Sequence, residues 1–263
     1  PYIALLNNDT EVDPDWLQAL VSTAKEEDAQ MVSSKLIRFH DRTRLDNVGH
    51  QMLNTGEIIP IGHGESADQY QLSFEHFGSC AAGTLYETKM LRHIGYFDAF
   101  FSTGYEDAEL GARAVIAGYR SVLAPNAIVY HKVGSSIGKI FDERYAIMIQ
   151  ESIWYTYFKL MPTSVILLAI PFILFKLIVL TILNLITLRF AHLKIMWTAV
   201  AHTIHQNRSS IRSARKQFAP LCKLSGKQIL ARQRFFLAFD LRRFWRIYIR
   251  RKPSSFDRYG NSD

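Results

Sequence analysis

Cysteine is scarce in this sequence, which has only Cys80 and Cys222 among its 263 residues. Neither cysteine belongs to a CxxC pair, so the spacing typical of structural zinc sites is missing. Two cysteines in segments of very different character also give no support for the disulfide framework of a small secreted domain. The composition therefore favours a protein of a reducing, cytoplasmic setting.

Acidic residues are scarce in the last part of the chain. Residues 161–263 contain 18 Lys and Arg but only 3 Asp and Glu, whereas residues 1–160 contain 13 Lys and Arg and 21 Asp and Glu. This asymmetry predicts two tasks for one chain. Basic tails bind anionic surfaces, either lipid headgroups or nucleic acid.

The chain opens with Pro1 and an apolar run, Tyr2–Leu6. We therefore expect the sequence to begin inside a domain. The run predicts a buried strand of a mostly parallel sheet, and Asp13-Pro14 predicts the start of a helix. An α/β sandwich is the predicted fold class.

The same alternation continues to about residue 140. Further strands are predicted at Gln30–Ile37, Ser79–Tyr86, Ser121–Ala124 and Ala127–Tyr130, and helices at Glu87–His93 and Gly104–Tyr119. Beyond that point the sequence changes character. We predict a catalytic domain over residues 1–140, a helical, membrane-associated region over 141–207 and a basic amphipathic tail over 208–263.

Three polar groups stand where this pattern predicts strand ends or a helix start. Asn7-Asn8-Asp9 follows the first strand, at the edge where ligands of open α/β sheets collect, and a carboxylate there can hold a divalent cation. Glu106 and Asp107 open a helix, and His131 ends a strand. Each group also has a purely structural explanation. Asn7-Asn8-Asp9 is typical of an Asx turn, acids such as Glu106 and Asp107 interact favourably with the dipole at a helix start, and His131 is typical of a structural histidine at a strand end.

The ordered combination resembles the inverting GT-A sugar transferases of glycosyltransferase family 2, particularly its rhamnosyltransferase-like bacterial members. Three segments carry the resemblance: YIALLNNDTEVDPDWLQALV, GSCAAGTLYETKMLRHIGYFDAFFSTGYEDAELGARAVIAGYR and APNAIVYHKVGSS. Together they span about Pro1 to Ser136, in the family's order. The resemblance implies metal-assisted transfer of a sugar from a nucleotide-diphosphate donor to a hydroxyl acceptor.

The resemblance also implies roles for individual residues. Asn7-Asn8-Asp9 looks like the family's DxD motif with Asn in the first acidic place, so Asp9 would be the main ligand of Mg²⁺ or Mn²⁺. His131 would be a further metal ligand, Asn7 would be a weak metal ligand or would hydrogen-bond the donor sugar, and Asn8 and Asp9 would contact the donor. Gly78, Ser79 and Cys80 match a segment that lines the donor sugar pocket.

The Glu106-Asp107 pair looks like the family's ED motif, which makes Asp107 the expected general base and Glu106 an orienting residue. Gly104 and Tyr105, with Glu106, would then line the acceptor site. Family members begin with strand–helix units that hold the nucleotide base, and we expect these units to be missing ahead of Tyr2. The implied fold is a GT-A sandwich lacking its first strand–helix units, followed by membrane-associated helices.

The apolar stretch Val165–Leu188 is long enough to cross a bilayer. One crossing would separate the basic tail from residues 1–160, although both are expected on the cytoplasmic side. Three arrangements resolve this conflict: a re-entrant hairpin bent near Pro171, an in-plane interfacial segment, or a second span over Phe190–Thr203. We expect interfacial or re-entrant attachment to the cytoplasmic face of the cell membrane.

The partners that follow are a UDP-, GDP- or dTDP-linked sugar, a glycan or lipid-linked acceptor and an anionic membrane surface. A nucleic acid is the less economical partner of the basic tail, because an apolar stretch directly precedes it. The QxxRW motif of polymer-making synthases is missing, which favours the addition of one or a few sugars. The alternative hypothesis is a non-catalytic, membrane-bound relative that binds sugars or nucleotides.

Overall fold

The computed structural model describes residues 1–132 and 142–245. The end of the third resembling segment, residues 133–136, and the basic residues from 246 onward lie outside this part. The described residues form two compact units. The first contains Pro1–Met52, 58–132 and Phe218–Ser225, and the second contains Leu53–Glu57, 142–217 and 226–245.

A mixed six-stranded sheet is the centre of the first unit. Its strands are β1 (Tyr2–Leu6), β2 (Thr10–Val12), β3 (Met31–Arg38), β4 (Asp41–Asn47), β7 (Gly83–Glu87) and β8 (Ser121–His131). The order is β1-β7-β3-β8-β2, and β4 pairs with β3. Only the β3–β8 pairing is parallel. The sheet is therefore less parallel than predicted, because the apolar runs do not reveal strand direction.

Helices cover the sheet, and a small hairpin lies beside it. The helices of this unit are α1 (Trp16–Glu26), α2 (Thr88–Ile94) and α3 (Glu106–Ile116), and the hairpin pairs β5 (His50–Met52) with β6 (Ile58–Pro60). On one face of the sheet, Trp16, Leu20 and Ala24 of α1 pack against apolar residues of β3 and β8. On another face, Leu45 and Leu123 form a second buried cluster.

Four predicted strands differ from the structure in position, length or continuity. The run Tyr2–Leu6 forms a strand over the residues expected, but it lies at the sheet edge, and Leu6 is 44% exposed. The strand predicted at Ser79–Tyr86 begins only at Gly83, and residues 79–82 form an irregular segment. The two strands predicted around Pro125 are a single strand, β8, whose pairing with β3 shifts register between Ser34 and Lys35. Such a shift absorbs the proline without ending the strand.

The second unit is helical. Its helices are α4 (Glu143–Leu160), α5 (Thr163–Ile186), α6 (Phe190–His205), α7 (Arg208–Phe218), α8 (Gly226–Arg232) and α9 (Phe236–Phe244). Helix α5 continues through Pro171, so the re-entrant bend predicted there is wrong. Helix α6 has 16 residues, fewer than the roughly 20 of a bilayer span. Among the described residues only α5 is long and apolar enough to span, and length and composition alone are weak evidence of spanning.

Candidate active site

The carboxylate of Asp107 is fixed at the start of α3. It accepts one hydrogen bond from the Ala81 N–H at 3.0 Å and another from the Ala108 N–H at 2.7 Å. Ala81 belongs to the irregular segment that precedes β7, so the first bond ties that segment to the helix start. Two backbone donors hold the carboxylate in one orientation.

The predicted donor-pocket residues form the rest of that segment. Gly78 has a φ of +151°, Ser79 is fully buried, and Cys80 is half-buried. The Ser79 hydroxyl has no hydrogen-bond partner among the described residues. Burial and the neighbouring Asp107 carboxylate raise the pKa of the Cys80 thiol well above its ordinary value. Cys80 is therefore a neutral wall residue next to Asp107 rather than an activated nucleophile.

Glu106 borders a pocket of about 400 Å³ at the end of β1. The pocket is lined by Leu5, Leu6, Asn7, Ala81, Phe97, Phe101, Ser102 and Glu106. The Glu106 Oε2 atom is buried and has no hydrogen-bond partner within the described residues. Burial, followed by the adjacent Asp107 charge, raises the pKa of Glu106. The pocket thus combines aromatic walls with the Glu106 side chain, one carboxyl oxygen of which is buried without a hydrogen-bond partner among the described residues.

The two residues before Glu106 have a backbone conformation that side chains seldom adopt. Gly104 has a φ of +75° and Tyr105 a φ of +83°. The Tyr105 hydroxyl accepts a hydrogen bond from the Ile58 N–H at 2.8 Å, which anchors the ring on β6. The strained Tyr105 backbone turns the chain into α3, and we therefore assign the ring a structural part in the predicted acceptor site.

His131 connects two carboxylates that are distant in sequence. Its Nε2 atom lies 3.5 Å from Asp9 Oδ1, and its Nδ1 atom lies 2.9 Å from Asp46 Oδ2. The β2–β8 pairing places Thr10 opposite His131, which explains why Asp9 reaches the ring. Sequence analysis predicted Asp9 and His131 as neighbours but missed Asp46, because a lone acid in β4 carries no local signal.

Burial, hydrogen bonds and neighbouring charges shift the pKa values of two members of this cluster, Asp46 and His131. Burial acts to raise the pKa of Asp46, but the hydrogen bonds from His131 and His63 lower it by more. The resulting pKa of Asp46 is about 2. Burial lowers the pKa of His131, and the Asp46 and Asp9 carboxylates outweigh that effect and raise it. Asp46 is therefore a charged partner that orients the imidazole ring with Nε2 toward Asp9.

A second residue that the sequence did not reveal is His50. It is buried in β5, a strand that packs against α3, and its Nδ1 atom has no hydrogen-bond partner in the described part of the chain. Burial lowers its pKa, and the Asp107 carboxylate opposes this effect. No motif marks this histidine, because its position beside α3 depends on the β5–β6 hairpin.

The model of glycosyl transferase family group 2 matches residues 2–205, more than half of the chain. The chain belongs to this family. A nucleotide-sugar donor and an acceptor are the substrates that membership implies in general, and the mixed α/β fold agrees with it. None of the curated proteins compared with this transferase matches it.

The transferase offers few side chains for a metal ion. Among the described residues, no group of three or more His, Cys, Asp or Glu side chains is arranged to hold one. Asp9 and His131 supply one oxygen and one nitrogen donor, which suits a cation that takes its other ligands from water and phosphate. Asn7 and Asn8 are exposed, and Asn7 lines the Glu106 pocket.

Proposed function

We propose that this family member transfers a sugar from a nucleoside diphosphate to an acceptor hydroxyl with inversion at the anomeric carbon. The observation that supports this function most directly is the orientation of Asp107 by Ala81 and Ala108 beside the Glu106 pocket. A fixed carboxylate next to a pocket is the arrangement that general-base catalysis requires. Transfer of a hexosyl or rhamnosyl group, the type implied by the resemblance, is part of this proposal.

Asp107 acts as the general base in the proposed reaction. It takes the proton of the acceptor hydroxyl while the acceptor oxygen forms a bond to the anomeric carbon. The bond from that carbon to the phosphate oxygen breaks, and its electron pair leaves with the nucleoside diphosphate. Glu106, in the wall of the pocket, orients a hydroxyl group of a substrate. No covalent sugar–enzyme intermediate is needed, which agrees with the protonated Cys80 thiol.

Asp9 and His131 are the residues that would hold Mg²⁺ or Mn²⁺ near the donor diphosphate. The donor set fits, because Asp46 fixes the ring of His131 and leaves Nε2 directed at Asp9. A bound divalent cation neutralises the negative charge that develops on the departing diphosphate. Asn7 lies in the Glu106 pocket, so we assign it a contact with the donor sugar rather than with the metal.

The location proposed for the transferase is the cytoplasmic face of the cell membrane. Support comes from the apolar helix α5, which is 17% buried over its most apolar stretch, and from the excess of Lys and Arg in residues 161–263. Nucleotide sugars are cytoplasmic, and a lipid-linked or glycan acceptor is accessible at this surface.

The test compares Asp107→Asn with Glu26→Gln, a control on the exposed surface of α1. Release of nucleoside diphosphate is measured with UDP-, GDP- and dTDP-sugars, with and without Mn²⁺. Loss of a general base lowers the rate by about 100-fold or more, and we expect donor binding to change little. A near wild-type rate for Asp107→Asn would remove Asp107 from this role.

The second candidate function is non-catalytic binding of a sugar or nucleotide. It is favoured by Asn7, which replaces the first acid of the DxD motif, and by the two-residue metal set. Such a protein would bind a nucleotide sugar without releasing nucleoside diphosphate in the presence of Mn²⁺ or Mg²⁺. Metal-dependent release in the wild-type chain would exclude it.

A further inference from the structure

Helix α5 has two different faces. With 24 residues it is about 36 Å long, and its inner face contains the buried residues Val165, Ala169 and Ile173. The opposite arc is apolar and exposed along the whole helix, at Leu167, Leu174, Phe175, Ile178, Ile182 and Leu185. An apolar arc of this length suits a bilayer, whether the helix crosses the membrane or lies along its surface.

The middle of α5 carries a group of charges. Lys176, near the centre of the helix, forms ion pairs with Glu57 and with Asp240, the latter at 2.8 Å. Glu57 also accepts a hydrogen bond from the Thr55 hydroxyl at 2.5 Å. These partners come from a loop and from α9, so a polar part of the second unit is packed against the centre of α5.

An exposed arginine lies at the same level of the helix. The Phe235 ring is 5.5 Å from the ring of Phe172 on α5, and the preceding residue, Arg234, is exposed. The Arg234 carbonyl accepts a hydrogen bond from the Asn54 N–H at 2.9 Å, which holds this stretch beside the Leu53–Glu57 loop. The centre of α5 is thus flanked by loop backbone and by a cationic side chain.

Basic residues also stand at the beginning of α5. A groove of about 560 Å³ is lined there by Thr163 and Ile166 of α5 and by Arg208 and Arg212 of α7. Its other walls are mostly apolar, including Ile204 and Ile211. Cationic groups therefore accompany α5 both at its first turn and at its centre.

These positions distinguish two ways of binding a membrane. If α5 crossed a hydrocarbon layer of about 30 Å, Lys176, Glu57 and the exposed Arg234 would lie near its midplane. An exposed charged side chain such as that of Arg234 is costly at that depth. If α5 lies in the surface plane, its apolar arc enters the interface while the charged groups stay at the level of the headgroups.

We propose that α5 binds an anionic bilayer along its length, with its exposed arc in the interface, and does not cross the membrane. This inference rests on the membrane attachment proposed above. It adds the orientation of the helix and assigns the Lys176 ion pairs to the face turned away from lipid.

The test places single cysteines at both ends of α5 in the full chain, after Cys80→Ala and Cys222→Ser. Ser164→Cys and Thr187→Cys mark the two ends, and Leu72→Cys, on the highly exposed Leu72 of the first unit, marks the side of the catalytic domain. Sealed vesicles of both orientations, prepared from expressing cells, are treated with a membrane-impermeant maleimide. The extent of maleimide labelling of each cysteine in vesicles is divided by its labelling in detergent-solubilised protein.

We expect both ends to be labelled in the same vesicles as Leu72→Cys. Labelling of the two ends from opposite sides, or protection of Thr187→Cys in both orientations, would overturn the in-plane arrangement. On the exposed arc, Ile178→Cys should lose at least about tenfold in reactivity on vesicle binding, and unchanged reactivity would contradict the inference.

A sedimentation experiment separates this inference from the attachment on which it rests. The wild-type chain should pellet with vesicles of phosphatidylglycerol and phosphatidylcholine, and less with phosphatidylcholine alone. Failure to pellet with either would overturn membrane attachment itself. If RNA abolishes vesicle binding at a low molar ratio of RNA to protein, the basic surface is instead a nucleic-acid-binding surface.

Discussion

The backbone of Gly78 lies directly against that of Gly111 in α3. A Cβ atom added to Gly111 would lie 2.5 Å from the Cα of Gly78, and one added to Gly78 would lie 2.9 Å from the Cα of Gly111. This close approach lets the segment before β7 reach Asp107 with the Ala81 N–H. The two glycines therefore position the proposed base without contacting a substrate.

The first prediction concerns Gly111→Ala. The new methyl group must displace the Gly78 backbone, because neither partner is a flexible side chain. We expect the Ala81–Asp107 hydrogen bond to lengthen and the turnover rate to fall by about tenfold or more. Steady-state release of nucleoside diphosphate measures this effect. Gly64→Ala is the control for backbone strain without a close contact, because its φ of +79° strains an alanine while its nearest neighbour, the end of the Arg38 side chain, lies 3.5 Å away. A wild-type rate for Gly111→Ala at wild-type stability would refute the positioning argument.

Asp46→Asn tests the orientation of His131. The Asp46 carboxylate lies 2.9 Å from Nδ1 of the ring, and an amide removes its charge while keeping its shape. Loss of such an outer partner weakens metal affinity by roughly 10- to 100-fold. We expect the Mn²⁺ concentration for half-maximal transfer to rise by that factor, with a smaller change in the rate at saturating metal. Asp41→Asn, on the exposed part of β4, is the control, and an unchanged metal requirement in Asp46→Asn would contradict the assignment.

Arg113→Met should destabilise the first unit. Arg113 binds the fully buried Glu109 at 2.9 Å and also donates hydrogen bonds to the carbonyls of Ile94, Gly95 and Tyr96. Removing one partner of a buried ion pair leaves an uncompensated charge and costs about 3–5 kcal/mol. Urea unfolding followed by tryptophan fluorescence measures the loss. The double variant Arg113→Met, Glu109→Gln should recover part of the lost stability. Equal stability of the single and the double variant would show that the unpaired Glu109 charge does not destabilise the single variant.

The sequence predicted the local elements of this fold better than their assembly. The strand Tyr2–Leu6 and the helix start at Glu106 follow from local pattern, since apolar runs and turn residues are short-range signals. The direction of the strands, and hence the mixed sheet, depends on pairing between distant segments. The contact of Asp46 with His131 and the position of His50 beside α3 depend on the same long-range pairing. For this reason the motif residues were identified and their supporting partners were not.

The last prediction concerns acid sensitivity and His76. This histidine is buried, and its two ring nitrogens lie within hydrogen-bond distance of the Ser33 and Ser121 hydroxyls, at 2.8 and 3.1 Å. Burial and the nearby His50 lower the pKa of His76 to about 3, whereas an unfolded histidine has a pKa of about 6.5. Below pH 6.5 the unfolded chain therefore binds a proton that the folded chain does not. Stability falls as the pH drops toward 3, by about 1.4 kcal/mol at pH 5.5 from this residue.

His76→Gln should remove this share of the pH dependence. The amide can still bind the two serine hydroxyls but does not titrate, so the difference in unfolding free energy between pH 8 and pH 5.5 should shrink by about 1.4 kcal/mol. Urea denaturation at the two pH values measures it, and His40→Gln, an exposed position, serves as the control. Because the comparison is made within each variant, a general loss of stability in His76→Gln cancels. An unchanged pH dependence in His76→Gln would show that the folded protein protonates His76 as readily as the unfolded chain does.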